Sequence, residues 1–207
     1  MVEIIRDSLK YSNLKNMKKI SKKNHKILNK PQGLRLDIGG GNNPQPGFIN
    51  IDYRSLEKVD IVHDLEKQPW PIHSNSVSLA ISSHVIEHIN PVKGGFLNFM
   101  NEAWRILKPG GQFIIGAPYA TSPGMFRDPT HCNFVNEESW LYFSPTEKLY
   151  HGSLYSIYAP LPWDIKVNTW HSNGNLEVVL KKLPILPEHK VDKEYLRLLK
   201  KHTKLTK

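Results

Sequence analysis

Cysteine is almost missing from this chain: there is one, Cys132, in 207 residues. A single thiol cannot close an internal disulfide or supply a Cys-based zinc cluster, which excludes stapled secreted scaffolds and zinc-finger modules. Long hydrophobic runs are missing too, since no window approaches the roughly 18 uninterrupted apolar residues of a membrane-spanning helix. The first ten residues, MVEIIRDSLK, lack the apolar stretch of a secretory signal. The expectation is a cytoplasmic protein with no transmembrane segment. Stability must then come from packing, and a 39% hydrophobic content over this length suits one filled α/β core rather than two full domains.

Acids are scarce where the chain is most basic. The net charge is +9, but residues 1–30 carry nine Lys/Arg against two acids and residues 181–207 carry nine against three. The intervening 31–180 carry ten against fourteen, a mildly acidic balance unlike that of a phosphate-binding groove. The Lys-rich ends fit solvated amphipathic helices, or weak contact with a polyanion. This charge pattern divides the chain into a basic N-terminal helical extension over 1–30, a globular domain over 31–182 and a basic C-terminal extension over 183–207. No internal repeat or low-complexity linker interrupts it.

What is present in the middle is alternation. Leu34 to Ile38 is a short apolar run that stops at Gly39-Gly40-Gly41, a strand followed by a glycine turn. Phe48 to Asp52, Val59 to Asp64 and Val77 to Ser83 read as three further strands. The apolar spacing from Phe96 to Leu107 predicts a helix, stopped by Lys108-Pro109-Gly110-Gly111, and a fifth strand follows over Gln112 to Ala117. Late in the chain, Asp164–Trp170 and Asn175–Leu180 flank Ser172-Asn173-Gly174, where Asn-Gly signals a tight antiparallel turn. The fold class expected is α/β, a Rossmann-like, doubly wound and mostly parallel sheet with a C-terminal antiparallel hairpin strand.

Asp37-x-Gly39-x-Gly41 directly after a strand offers backbone N–H groups with no Cβ in the way, so the chain can pass close to a ligand. Asp52 and Asp64 close the next two strands. In a parallel sheet those carboxyl ends share one edge, and acids there can accept hydrogen bonds from ribose hydroxyls or an adenine amino group. Each acid taken alone is also explained as a turn cap or a surface charge.

The run Leu36-Asp37-Ile38-Gly39-Gly40-Gly41-Asn42-Asn43-Pro44, then Pro46 to Asp52, then Val62-His63-Asp64-Leu65 with Pro69-Trp70-Pro71, then Ser83-His84-Val85-Ile86-Glu87-His88-Ile89, then Glu102 to Gly111, resembles a family. It is similar to the class I S-adenosylmethionine-dependent methyltransferases of the methyltransferase-11-like group, over roughly residues 34–120. The resemblance implies S-adenosylmethionine as cofactor. It implies that Asp37 supports the loop and meets the methionine ammonium directly or through water, and that Gly39 and Gly41 admit the cofactor. Asp52 would hold the ribose, Asp64 with Leu65 the adenine, and Ser82 and Ser83 would end the fourth strand beneath the sulfonium. Two departures stand out: Asn43 occupies the place of the usual third loop glycine, and about eight residues between Gly39 and Phe48 leave no room for a crossover helix. Eight extended residues still span roughly 27 Å, enough to return along a strand. A parallel second strand joined by a Pro-containing loop is therefore expected, with the methionine end of the site built from backbone.

The segment beyond the fourth strand also spells H-x-x-E-H at His84 to His88, a zinc-peptidase signature. Because His84 directly follows a strand, only His88 falls clearly in a helix, and the expectation is packing near the cofactor with no metal. Asn/Asp-Pro-Pro-Tyr/Phe and Pro-Cys motifs are missing, which argues against amino groups of nucleobases or glutamine and against cytosine C5 as acceptors. After the fifth strand, Arg127-Asp128-Pro129-Thr130-His131 resembles a loop segment of similar methyltransferases. There His131, with an ordinary pKa of about 6.5, would serve as the acceptor-side base oriented by Asp128; a Pro turn with a surface His explains the residues equally. Eight aromatics between Phe134 and Trp163 are expected mainly to cover the sheet, with one or two lining an acceptor pocket. The function expected is methyl transfer by in-line displacement to an unidentified acceptor, a small molecule, glycan or similar nucleophile. The alternative is a cofactor-binding pseudoenzyme or scaffold docked on an anionic polymer.

Overall fold

The computed structural model describes residues 33–145 and 160–185. The expected basic extensions, apart from the start of the second, and Tyr150, Tyr155 and Tyr158 lie outside the described residues. Seven strands form one sheet in the order β3-β2-β1-β4-β5-β7-β6. They are β1 (Leu34–Ile38), β2 (Ile49–Asp52), β3 (Ile61–Val62), β4 (Val77–Ser83), β5 (Leu107–Pro118), β6 (Trp163–Trp170) and β7 (Asn175–Lys182). The first five pair in parallel and the last two antiparallel. This is a Rossmann-like, mostly parallel sheet with a reversed terminal hairpin.

β2 runs parallel to β1 in the register Leu36↔Ile49, Asp37↔Asn50, Ile38↔Ile51, although only a loop joins them. The chain length estimated from the sequence is thus sufficient. β3 is shorter than its alternating pattern suggests. The Asp60 carboxylate and N–H are both engaged by the Asn50 backbone, which leaves only Ile61 and Val62 in the ladder. α1 (Gly95–Ile106) connects β4 to β5, buries Phe99, Met100, Ala103 and Ile106, and ends where Leu107 turns extended. β5 begins five residues earlier than its apolar pattern, but its regular ladder starts at Gln112. Val77 pairs with Leu107 and Leu79 with Gln112, so Lys108–Gly111 bulge out of register. α2 (Pro123–Arg127) and α3 (Glu137–Leu141) are short, and Gly174, at φ +86°, turns β6 into β7.

The core is aromatic. Trp70 meets Phe99 edge-on at 5.2 Å, and Phe99, Phe113 and Trp163 continue the contact at 6.2 and 6.1 Å. No helix among the described residues is long and apolar enough to cross a membrane. Chain order reverses beside β1, with β2 and β3 on one side and β4 on the other. In open α/β sheets the crevice at such a point, beyond the strands' carboxyl ends, is where ligands sit.

Candidate functional site

At that reversal β1 runs into Gly39-Gly40-Gly41. Gly39 has φ +79°, and a Cβ there would lie 2.3 Å from Val85 Cγ2, so only glycine lets the loop pass beside Val85. The loop is braced by side chains at the strand ends. Gln45 N–H donates to Asp37 Oδ2 at 2.7 Å, Gly41 N–H donates to Asp52 Oδ2 at 3.1 Å, and Asn50 Nδ2 donates to the Gly41 carbonyl at 2.8 Å. Asp37 is buried beneath this loop. Burial raises its carboxyl pKa, and the Gln45 N–H offsets part of the rise.

Asp52 is 3% exposed, yet its carboxylate borders a cleft of about 610 Å³. Burial alone would raise its pKa. The side-chain and backbone hydrogen bonds of Arg54, its charge and the Gly41 N–H outweigh that and hold the carboxyl below the usual range. Asp64 and Leu65 line the same cleft. Burial alone would raise the Asp64 pKa, but the Glu66 N–H it accepts at 3.1 Å, its pairing with Lys67 at 3.1 Å and the nearby positive charge together outweigh that and lower it. Leu65 is buried, with its carbonyl taken by Trp70 Nε1.

Four of the sequence-derived cofactor residues do not line the cleft. Asp37 and Gly41 brace the loop from within, Ser82 is fully buried, and Ser83 is exposed at the end of β4. The β4 edge contributes His84 and Val85 instead. His84 adopts φ +54°, donates its N–H to the Gly116 carbonyl, and sets its ring against Glu87 at 3.2 Å. That hydrogen bond raises the imidazole pKa, opposed in part by burial. His84 therefore stands outside the 3-10 helix Ile86–His88, as expected, and its Nδ1 is committed to Glu87 within the motif.

Asp128 and Thr130 also line the cleft. Here the sequence expectation needs correction: Asp128 does not orient the His131 ring. Asp128 Oδ1 accepts the Thr130 N–H at 2.8 Å and its hydroxyl at 2.7 Å, because Pro129 turns the chain so that the carboxylate folds back two residues on. The Thr130 hydroxyl in turn meets His88 Nδ1 at 2.9 Å, so Asp128 acts on His88. His131 Nδ1 instead donates to the Met125 carbonyl at 2.9 Å, and its ring lies edge-on to His88 with centroids 4.7 Å apart. Among the described residues of the aromatic-rich 134–163 stretch, Trp140, Phe143 and Trp163 are core and none lines the cleft; the aromatic that does is Tyr53.

Sequence reasoning missed Tyr53, Arg54, Glu66 and Val85 as cleft residues. Tyr53 and Arg54 follow Asp52 directly, so adjacency was a usable signal; Val85 arrives only through tertiary packing. The cleft's size is that of small-molecule and cofactor sites. A buried carboxylate at the end of β2, a loop that a Cβ would obstruct and the apolar Leu65, Val85 and Ile89 fit a cofactor carrying an adenosyl group. Fold and site together define an open α/β protein with a cofactor-sized cleft at its switch point.

Residues 40–115 match the methyltransferase-11 family model, described as a methyltransferase domain. The PH0226 protein from Pyrococcus horikoshii OT3 is similar in structure at TM-score 0.50 and 15% identity, over 72% of this chain and 83% of that one. A Sulfolobus solfataricus protein proposed to be a type 11 methyltransferase is similar at 0.49 and 17%, over 82% and 97%. The CurJ carbon methyltransferase is similar at 0.49 and 13%, over 73% of this chain; the chain spans about half, 49%, of that protein. No curated protein matched the chain. The similarity to that methyltransferase family thus spans residues 40–115, and the likeness to the PH0226 protein is one of fold.

Proposed function

We propose that the cleft holds S-adenosylmethionine and that the chain directs methyl transfer onto an oxygen or nitrogen of a small molecule or glycan. The observation that carries this reading is Asp52, a buried, ionised carboxylate at the β2 end, opening on a cleft beside the Gly39 loop. In this reading Asp52 accepts both ribose hydroxyls, while Asp64 and Leu65 border the adenine. Asp37 and Gly41 keep the loop in shape, and Ser82 and Ser83 support the end of β4 rather than touch the ligand. The cofactor supplies a methyl group made electrophilic by a sulfonium.

What the chain must add is alignment and, for a protonated acceptor, a place for the proton. The segments 84–89 and 128–131 form the acceptor side. With Nδ1 held by the Met125 carbonyl, His131 offers Nε2 as its free ring nitrogen for the base role. Calorimetric titration with S-adenosylhomocysteine tests the reading, with saturable binding as the expected result. Absence of binding at millimolar ligand sinks it, and binding without turnover on any acceptor favours a pseudoenzyme.

A further inference from the structure

We infer that Glu87, His88 and His131 form a binding site for a divalent transition-metal ion of the zinc class, on the acceptor side of the cleft. One ligand atom from each of the three lies within 4.8 Å of the other two. The two chain segments are tied together independently of any ion. Cys132 N–H donates to the Glu87 carbonyl at 2.7 Å, and Asn133 Nδ2 donates to the carbonyls of Ile86 and Ile89.

Hydrogen-bond chemistry fixes which atoms of this cluster keep a lone pair. The Met125 carbonyl only accepts, so His131 carries its proton on Nδ1 and keeps a lone pair on Nε2. The Thr130 hydroxyl has one hydrogen, and it goes to Asp128. Thr130 Oγ1 therefore accepts from His88 Nδ1–H, which leaves His88 Nε2 with a lone pair as well. Glu87 Oε1 is engaged by His84, but Glu87 is fully buried and its Oε2 has no hydrogen-bond partner. Each of the three clustered residues thus keeps an acceptor atom that these hydrogen bonds leave open. A buried carboxylate oxygen left in this condition is costly, and a cation satisfies it together with both imidazoles.

The donor set selects the ion. Two neutral imidazoles and one carboxylate suit zinc and its neighbours rather than the all-oxygen preference of magnesium or calcium. Each ligand also has the outer partner that metal-bound residues usually show: Met125 O for His131, the Thr130–Asp128 pair for His88, and His84 for Glu87. Zinc–ligand bonds of about 2.0–2.2 Å require the three atoms to draw closer, and the exposed His88 side chain has the freedom to do so. The pairing departs from the H-x-x-E-H pattern in the sequence, because the second imidazole comes from His131 and not His84. With three protein ligands the ion keeps an open position, and His88 and Thr130 lie on the cleft wall. Resting on the methyl-transfer reading, that position faces the acceptor. His131 Nε2 then serves as a ligand, and the task of holding a nucleophilic oxygen passes to the ion.

The test uses the full chain, stripped with EDTA, titrated with Co²⁺ under visible absorption and then competed with Zn²⁺. We expect saturation at one equivalent, with the intense bands of a low-coordinate ion. His88→Ala and His131→Ala should weaken binding at least tenfold, Thr130→Val by about 10–100-fold through the lost outer contact, and Cys132→Ser not at all. Circular dichroism reports whether each variant is folded, and His88 and Thr130 are exposed positions where folding should persist. No Co²⁺ or Zn²⁺ binding, or binding unchanged in folded His88→Ala and Thr130→Val, overturns the site. S-adenosylhomocysteine titration of the same samples separates the two readings. Cofactor binding without metal sinks this site alone, and metal without cofactor sinks the methyl-transfer reading alone.

Discussion

Asp52 does two things with one carboxylate. Its Oδ2 takes the Gly41 N–H and so shapes the glycine loop, while Oδ1 takes the Arg54 N–H and Nε. A carboxylate has about four lone-pair sites, and Gly41 and Arg54 with its Nη2 engage all of them, so in this reading the ribose hydroxyls take the places of the half-exposed Arg54 guanidinium. Asp52→Ala should weaken S-adenosylhomocysteine binding by about 1–3 kcal/mol, since two hydroxyls lose a charged acceptor. Calorimetry on folded protein measures this, with Asp52→Asn as the variant that keeps an acceptor for Gly41. Unchanged affinity in both would remove β2 from the ribose site. Gly39 carries the complementary constraint, a backbone at φ +79° lying against Val85.

The helix α1 is anchored by charge as well as by its apolar face. Glu102 accepts the Trp70 N–H at 2.7 Å, and Arg105 grips Glu102 through Nε and Nη2 at 2.8 and 2.9 Å. The same guanidinium donates to the carbonyls of Ile72 and Trp70, fastening the loop before β4 to the helix. Removing one partner of a buried pair strands the other, so Arg105→Ala should cost about 3–5 kcal/mol in chemical denaturation. A loss below about 1 kcal/mol would class the pair with ordinary surface ion pairs. Lys182, on β7, is 4% exposed and donates to Asn75 Oδ1 and the Leu107 carbonyl, both at 2.7 Å, with its ammonium 3.7 Å from the Trp104 ring centre. Desolvation, with a smaller contribution from Arg105, lowers its pKa from 10.5 to about 8. The folded state then holds fewer protons than the unfolded one between these values, so stability rises with pH across that window. Relative to Lys182→Met, the wild type should gain at most roughly 3 kcal/mol between pH 8 and 10.5, because the acceptors and the Trp104 ring favour the ammonium and oppose the shift. Denaturation curves at several pH values measure the difference, and parallel curves would show that burial does not disfavour the charge.

For the whole molecule, charge is unevenly placed: the mildly acidic 31–180 stretch contains the cleft, and the excess of Lys and Arg lies before and after it. If the N-terminal lysines contact a polyanion, deleting residues 1–30 should lower heparin or RNA affinity and flatten its salt dependence, with S-adenosylhomocysteine binding unchanged. Undiminished polyanion binding by the truncated chain would mark those lysines as solvated surface.

Local pattern was enough for the parallel strands, for α1 and for the Asn-Gly hairpin, because a period of 2 or 3.6 and a glycine turn act over a few residues. It was also enough to set Asp52 at the end of β2, but not Asp64, which falls two residues beyond β3 because the strand stops at Val62. The sequence did not determine partners. The Lys108–Gly111 bulge depends on β4 lying alongside, and Val85 enters the cleft because β1 and β4 are neighbours. Asp128 turned to Thr130 and His88 because a two-residue contact across Pro129 is closer than the ring of His131. Glu87, His88 and His131 meet because Asn133 and Cys132 stitch the loop after α2 to the helix after β4. Contacts between residues more than forty positions apart leave no periodic trace in the chain; only the order in which the strands pair decides which side chains share a space.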